Sequence, residues 1–256
     1  MTRRRRVPCS ALSGSILMTA ETTDDRFLDG RLVIRQSAHG YRAGMDAVLL
    51  AAAVAPAAML MEAGCGPGVA LLTTALRHPE ARLTGVERDP VAVALARENV
   101  VANGLFDRID IVEGDVFELI PETYEGIFLN PPFAEPDEGT APKAARQNAH
   151  VTEYALDAWL ARLSNQLTGG GVLTLIHRAE KLAAILAGMN GRLGAVTVYP
   201  LRPRADAPAS RVLVRGIKGS RAPLTLLRGL DLHDASGAKF TPEADDILRG
   251  RAAVDW

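Results

Sequence analysis

A chain of 256 residues has room for one large domain or two small ones, and at 48% hydrophobic it can bury a substantial core, packed mainly by aliphatic side chains because aromatics are only 5%. The formal charge of -1 gives no overall sign of a nucleic-acid binder. Two cysteines, Cys9 and Cys65, exclude a disulfide framework and a Cys-based zinc site, and they fit a reducing cytoplasm.

No apolar run approaches the roughly 18 residues of a membrane span, so a cytoplasmic protein without membrane contact is expected. Arg3–Arg6 followed by a short, interrupted apolar stretch at Ala11–Gly14 lacks the cleavage site of a targeting signal. Residues 1–24 are expected to be a disordered tail ahead of a single domain, 25–256.

Met59-Leu60-Met61 then reads as a strand, Gly64-Cys65-Gly66-Pro67-Gly68 as a loop and Val69–Arg77 as a helix. Leu83–Val86 is a second strand. Asp89-Pro90 opens a helix running to Asn99, with Asp89 as N-cap and Pro90 in the first turn. Ile109–Val112 and Gly126–Leu129 are the third and fourth strands. Tyr154–Gln166 is helical, Gly169-Gly170-Gly171 ends it, and Val172–Ile176 is a fifth strand. Alternation at this spacing implies parallel βαβ units in a doubly wound α/β sheet. Ala195–Leu201 and Arg211–Ile217 follow, joined by Pro203–Ser210, where no helix fits. An antiparallel pair closing a mostly parallel sheet departs from the dinucleotide-binding dehydrogenases and favours the methyltransferase variant of the Rossmann-like fold.

The candidate site residues fall at successive strand ends, where ligands of such sheets sit. Glu62 and the loop after it are candidate cofactor contacts, with the spacing G-x-G-x-G at Gly64, Gly66 and Gly68 rather than the G-x-G-x-x-G that serves a pyrophosphate. S-adenosylmethionine, which has no pyrophosphate, suits it better. Glu87, at the end of the second strand, can accept hydrogen bonds from both ribose hydroxyls. Asp115, followed by Val116, is placed to take an adenine amino group. Each of these alone is compatible with an ordinary turn or cap, and their shared location is what makes them a constellation. The histidines show no metal-ligand spacing, and no metal is expected.

Asn130-Pro131-Pro132-Phe133 ends the fourth strand. Two prolines stiffen the turn and remove backbone donors. The Asn130 amide and Pro131 carbonyl are left to point at a substrate, with the Phe133 ring next to them. A fixed amide, a fixed carbonyl and a flat ring suit a flat nitrogen that carries hydrogens. The segment from His177 to Arg228 holds ten Lys or Arg against Glu180 and Asp206, a local charge of +8 within a chain of -1. That concentration suggests a phosphate-binding face, with Arg202 and Arg204 as candidate contacts.

Over roughly residues 30–217 these motifs, in order and spacing, resemble the class I S-adenosylmethionine-dependent methyltransferases. That resemblance implies a mostly parallel seven-stranded sheet with a C-terminal antiparallel pair. The Asn130–Phe133 motif resembles that of amino-methyltransferases acting on adenine N6 or on glutamine nitrogen. Gln36–Leu50 is similar to the entry segment of the tRNA(Val) anticodon-loop adenine N6-methyltransferase family, through Arg42, Gly44 and Asp46; Arg146 and Ala149 resemble that family after its catalytic loop. The resemblance implies Asp46 near the cofactor, and Tyr41, Arg42 and Arg146 toward the substrate. Phe133 stands where many relatives have Tyr, which keeps the ring and excludes a role for a phenol hydroxyl. The expected activity is N6-methylation of an adenine in RNA, most directly tRNA, by a monomer. A protein glutamine N5-methyltransferase and a noncatalytic RNA-binding protein of the same fold stay open as alternatives.

Overall fold

The computed structural model describes residues 21–39, 42–118, 122–131, 154–234 and 239–256. The chain opens with a hairpin of β1 (Thr22–Phe27) and β2 (Leu32–Ser37), turned by a 3-10 helix at Leu28–Gly30. Helix α1 (Met45–Ala53) leads into β3 (Met59–Ala63), α2 (Val69–Arg77), β4 (Arg82–Glu87), α3 (Pro90–Ala102), β5 (Ile109–Glu113) and β6 (Tyr124–Leu129). Next come α4 (Leu156–Gln166), β7 (Leu167–Arg178), α5 (Leu182–Met189), β8 (Leu193–Arg202) and β9 (Arg211–Lys218). Two-residue strands β10 (Thr225–Leu226) and β11 (Leu230–Asp231) precede α6 (Pro242–Leu248).

The large sheet has the order β10-β8-β9-β7-β6-β3-β4-β5, with β11 also beside β8. Strands β3 to β7 are mutually parallel where they pair, and β9 is antiparallel to both β7 and β8. Seven long strands with a C-terminal antiparallel pair are therefore present as expected. Consecutive side chains enter opposite layers: Leu60 and Phe128 join the core under α1, α2 and α6, while Met61, Ile127 and Leu129 join the one under α4 and α5. Both faces are covered, which is why β3 and β6 read as continuous apolar runs rather than alternating ones.

Four local expectations are revised. The hairpin starts inside the expected tail, at Thr22, whereas residues 1–20 lie outside the described residues. No β-hairpin was expected there, because Asp24, Asp25 and Arg26 mask the period of β1. Helix α3 continues past Asn99 to Ala102 and stops just before Gly104, whose φ is 69°. The glycines at 169–171 do not end a helix; they lie within β7. There the pairing shifts from Tyr124–Leu167 to Gly126–Val172, two steps on β6 against five on β7. A Cβ on Gly171 would come within 3.0 Å of the Glu125 and Thr168 carbonyl oxygens, so this bulge requires glycine.

The C-terminal segment is strapped across the amino-end side. Arg77 donates to the carbonyls of Ile247 and Ala252 at 3.0 and 2.8 Å, and the Trp256 indole donates to Ala53 at 3.0 Å. Among the described residues no helix is long and apolar enough to cross a membrane.

Candidate active site at the carboxyl ends of the strands

The loop after β3 is built on alternating left-handed glycines. Gly64, Gly66 and Gly68 have φ of 73°, 53° and 91°, a region that disfavours side chains. The amides of Gly64 and Cys65 both donate to the Val86 carbonyl, at 2.8 and 3.0 Å, which anchors the loop to the end of β4. Gly68 starts α2, and a Cβ there would meet the Leu72 side chain at 2.8 Å. The result is a close backbone cradle at a helix N-terminus.

Glu87 reaches into this cradle. Its carboxylate accepts from the backbone amides of Gly66, Arg88 and Asp89, each at 2.9 Å. Three of a carboxylate's roughly four acceptor sites are thus filled by the protein. Glu87 organises the loop, and ribose hydroxyls would share the carboxylate with these donors. Asp115 accepts from the Phe117 amide at 2.8 Å and lies 3.7 Å from an Arg88 guanidinium nitrogen. Val116 is buried against the second core, beneath this end of the sheet.

Glu62, the last but one residue of β3, is buried, and its Oε2 has no hydrogen-bond partner among the described residues. Burial pushes its carboxyl well above the usual carboxylate range; a backbone hydrogen bond from Leu71 opposes this and the neighbouring Glu87 adds to it. Burial likewise raises the Cys65 thiol, with Glu62 and Glu87 adding to the effect, which opposes its ionisation to the thiolate.

The register of β3 with β6 ends at the pair Ala63–Leu129, so Asn130 follows one step later, beside Gly64. Asn130 is half-buried and Pro131 buried. Tyr41, Pro132, Phe133 and Arg146 lie outside the described residues. Among the residues expected to bind, Gly64, Gly66, Gly68, Glu62, Glu87 and Asn130 come together at this end, with Asp115 and Val116 after the adjoining β5.

The entry segment is closed by a side chain. The buried Gln36 amide pairs with the Ala43 backbone in both directions, accepting from its N–H at 3.0 Å and donating to its carbonyl at 3.1 Å. Arg42 is held by Asp25 at 2.6 Å, and Asp46 accepts from Arg211 at 3.0 Å. Arg42 and Asp46 are therefore engaged within the protein.

The basic segment is divided between the two ends of the sheet. Arg178, Lys181, Arg202, Arg204, Arg211 and Arg228 lie at the carboxyl end with the site, whereas Arg192, Lys218 and Arg221 lie at the opposite end. Arg215 is covered by the Trp256 ring at 4.4 Å. Arg202 pairs with Asp231 at 2.6 Å, while Arg204 is exposed. A cavity of about 270 Å³ lined by Arg31, Arg77, His78 and apolar residues sits where α1 and α2 finish, away from this site. Among the described residues no group of His, Cys, Asp and Glu could hold a metal.

The donor set fits S-adenosylmethionine. Its ammonium group would satisfy the orphaned Glu62 oxygen, its ribose hydroxyls Glu87 and its adenine amino group Asp115, against a loop with no side chains in the way. Fold and site together define a class I S-adenosylmethionine-dependent methyltransferase. A family model, the methyltransferase small domain, matches residues 43–199, and the chain belongs to that family. It is 31% identical over 238 residues to a Porphyromonas gingivalis protein named tRNA1(Val) (adenine(37)-N6)-methyltransferase, covering 86% of this chain and 91% of the relative. A Yersinia pestis protein of the same name is 29% identical over 215 residues, 81% of this chain and 85% of its own. Among solved structures, a predicted O-methyltransferase from Agrobacterium tumefaciens superposes with a TM-score of 0.69 at 32% identity, covering 82% of this chain and 98% of the other. A 16S rRNA N2 methyltransferase from T. thermophilus, solved with S-adenosylmethionine and guanosine, shares the fold, with a TM-score of 0.55 at 18% identity over 80% of this chain and 52% of its own.

Sequence reasoning missed Gln36, Asn99 and Arg211. The signal available for Asn99 was its i, i+4 spacing from Asn103 on α3. Gln36 and Arg211 had no local signal, since their partners are Ala43 and Asp46 through tertiary contact.

Proposed function

We propose that this methyltransferase acts on the N6 amine of an adenine in tRNA. The observation that carries the reading is Asn130-Pro131 standing one step beyond the Ala63–Leu129 pair, beside the glycine loop. The names of the relatives at about 30% identity over most of the chain support the same substrate class. The cofactor, when bound, supplies an electrophilic methyl group on a sulfonium. Asn130 Oδ1 and the Pro131 carbonyl accept the two amine hydrogens, which favours a pyramidal nitrogen and aims its lone pair at the methyl. Two oriented acceptors act through positioning and electrostatics. Phe133 stacks on the base, worth roughly 1–3 kcal/mol. The proton released on alkylation passes to water, so no dedicated base is needed. An adenine in a loop enters such a pocket at less cost than one inside a helix. Arg204 and its neighbours at the carboxyl end meet the phosphates.

The test is to incubate the protein with labelled cofactor and, separately, total tRNA, ribosomal RNA and release factors, then to identify the labelled product. N6-methyladenosine in tRNA is expected, and Asn130→Ala should abolish it while leaving cofactor affinity within about twofold. Label confined to protein glutamine or to a hydroxyl group would refute the adenine assignment.

A further inference from the structure

Helix α3 carries two asparagines four residues apart on one stripe, and both face β2. Asn99 Oδ1 accepts from the Arg35 amide at 2.8 Å, and its Nδ2 donates to the Arg35 carbonyl at 2.9 Å. One turn on, Asn103 repeats the pattern with Val33, accepting at 3.1 Å and donating at 2.8 Å. Four helical residues rise about 6 Å and two strand residues rise about 6.8 Å, so successive amides match alternate strand residues. The two side chains therefore act as a substitute strand along the edge of β2 that β1 does not cover.

The two asparagines differ in one contact. The Asn103 amide donates its remaining hydrogen to the Asn99 carbonyl at 2.8 Å, within its own helix. The Asn99 amide donates instead to the Pro67 carbonyl at 2.9 Å. Pro67 lies between Gly66 and Gly68, the two left-handed residues at which the loop turns into α2. Asn99 is 2% exposed, so water does not compete for this bond. Glu87 fixes the same loop from the other side, through the Gly66 amide. The loop is thus held at the Gly66 amide by a carboxylate and at the Pro67 carbonyl by an amide that also holds the hairpin.

We infer that Asn99 is a positioning residue of the cofactor site, fixing the Gly66-Pro67-Gly68 turn to the β1–β2 hairpin so that cofactor affinity depends on how the hairpin is seated on α3. The inference rests on the glycine loop being the cofactor cradle. Through Gln36 the same hairpin closes the entry segment that carries Arg42, which links the cofactor loop to the substrate side.

Asn103 supplies the internal control. Asn99→Asp and Asn103→Asp are isosteric, each keeps its acceptor oxygen, and each turns two donated bonds to carbonyls into repulsions. Only the first touches the cofactor loop. Binding of S-adenosylhomocysteine to the full-length variants is measured by calorimetric titration, below the unfolding transition of each. Asn99→Asp should weaken binding about tenfold or more, and Asn103→Asp by no more than about twofold. Equal weakening in both, or none in Asn99→Asp, overturns the inference, because loss of the ladder to β2 is common to both variants and only the Pro67 bond is not. Should Asn99→Asp not fold, Asn99→Ser, which is too short to reach Pro67, is read against Asn103→Ser by the same criterion. Gly66→Val separates the two levels. If it leaves binding intact, the cradle assignment falls and the inference with it; if it abolishes binding while Asn99→Asp and Asn99→Ser do not weaken it, the role of Asn99 alone is refuted.

Discussion

A carboxyl group as buried as Glu62, with a second carboxylate nearby, must either carry a proton or find a cationic partner. Its folded-state value is raised above the ordinary 4.5, first by burial. The stability it contributes is therefore full below about pH 4.5 and is lost as the pH rises through the raised folded value. Glu62→Gln removes that titration. In thermal melts without cofactor, the Gln variant should exceed the parent at pH 8 and match it near pH 4; about 1 kcal/mol corresponds to roughly 2–4 °C in a domain of this size. Cofactor binding should move the other way, weakening roughly tenfold or more as a charge-assisted bond worth about 1.5–3 kcal/mol is lost. A Gln variant that is less stable at pH 8 and binds cofactor normally would remove Glu62 from the site.

At the level of elements, the βαβ part of the fold was legible because each strand end carried its own punctuation. Asp89-Pro90 caps α3 as read, with Asp89 accepting from the Val91 amide at 3.0 Å, and α2 matches its expected span of Val69–Arg77. Local residues fix such boundaries. The hairpin and the entry segment were not legible in the same way, because distant partners hold them. Gln36 is the clearest case: a lone glutamine in a strand pattern gives no hint that it will bridge to Ala43 across the turn. Gln36→Leu keeps the volume and leaves the Ala43 amide and carbonyl unpaired, at about 1–3 kcal/mol each. A fall in melting temperature of several degrees is expected, together with a raised KM for tRNA at a nearly unchanged cofactor affinity. An unchanged melt would show that the clamp contributes nothing. The triple glycine failed for a different reason: glycine marks both a helix end and a strand bulge, and only the pairing of β7 with β6 decides between them.

For the whole molecule, the charge of the basic segment was legible but its placement was not, since β8 starts and β9 ends at the far end of the sheet, which leaves Arg192, Lys218 and Arg221 there. RNA affinity should therefore respond to position. Arg204→Ala, at the site end, should lower the salt slope of tRNA binding by about 1, measured between roughly 50 and 200 mM salt. Lys218→Ala, at the far end, where the ammonium donates to the Leu167 carbonyl at 2.7 Å, should leave that slope unchanged. Equal responses would mean that RNA wraps both ends. The asparagine stripe on α3 also has a consequence for solubility. A strand with an open edge is a template on which another chain can add. On the side of β2 away from β1, the groups that would invite self-association are already occupied by Asn99 and Asn103. Side-chain amides end there and offer no further backbone edge to extend, so α3 blocks strand addition along that side of β2.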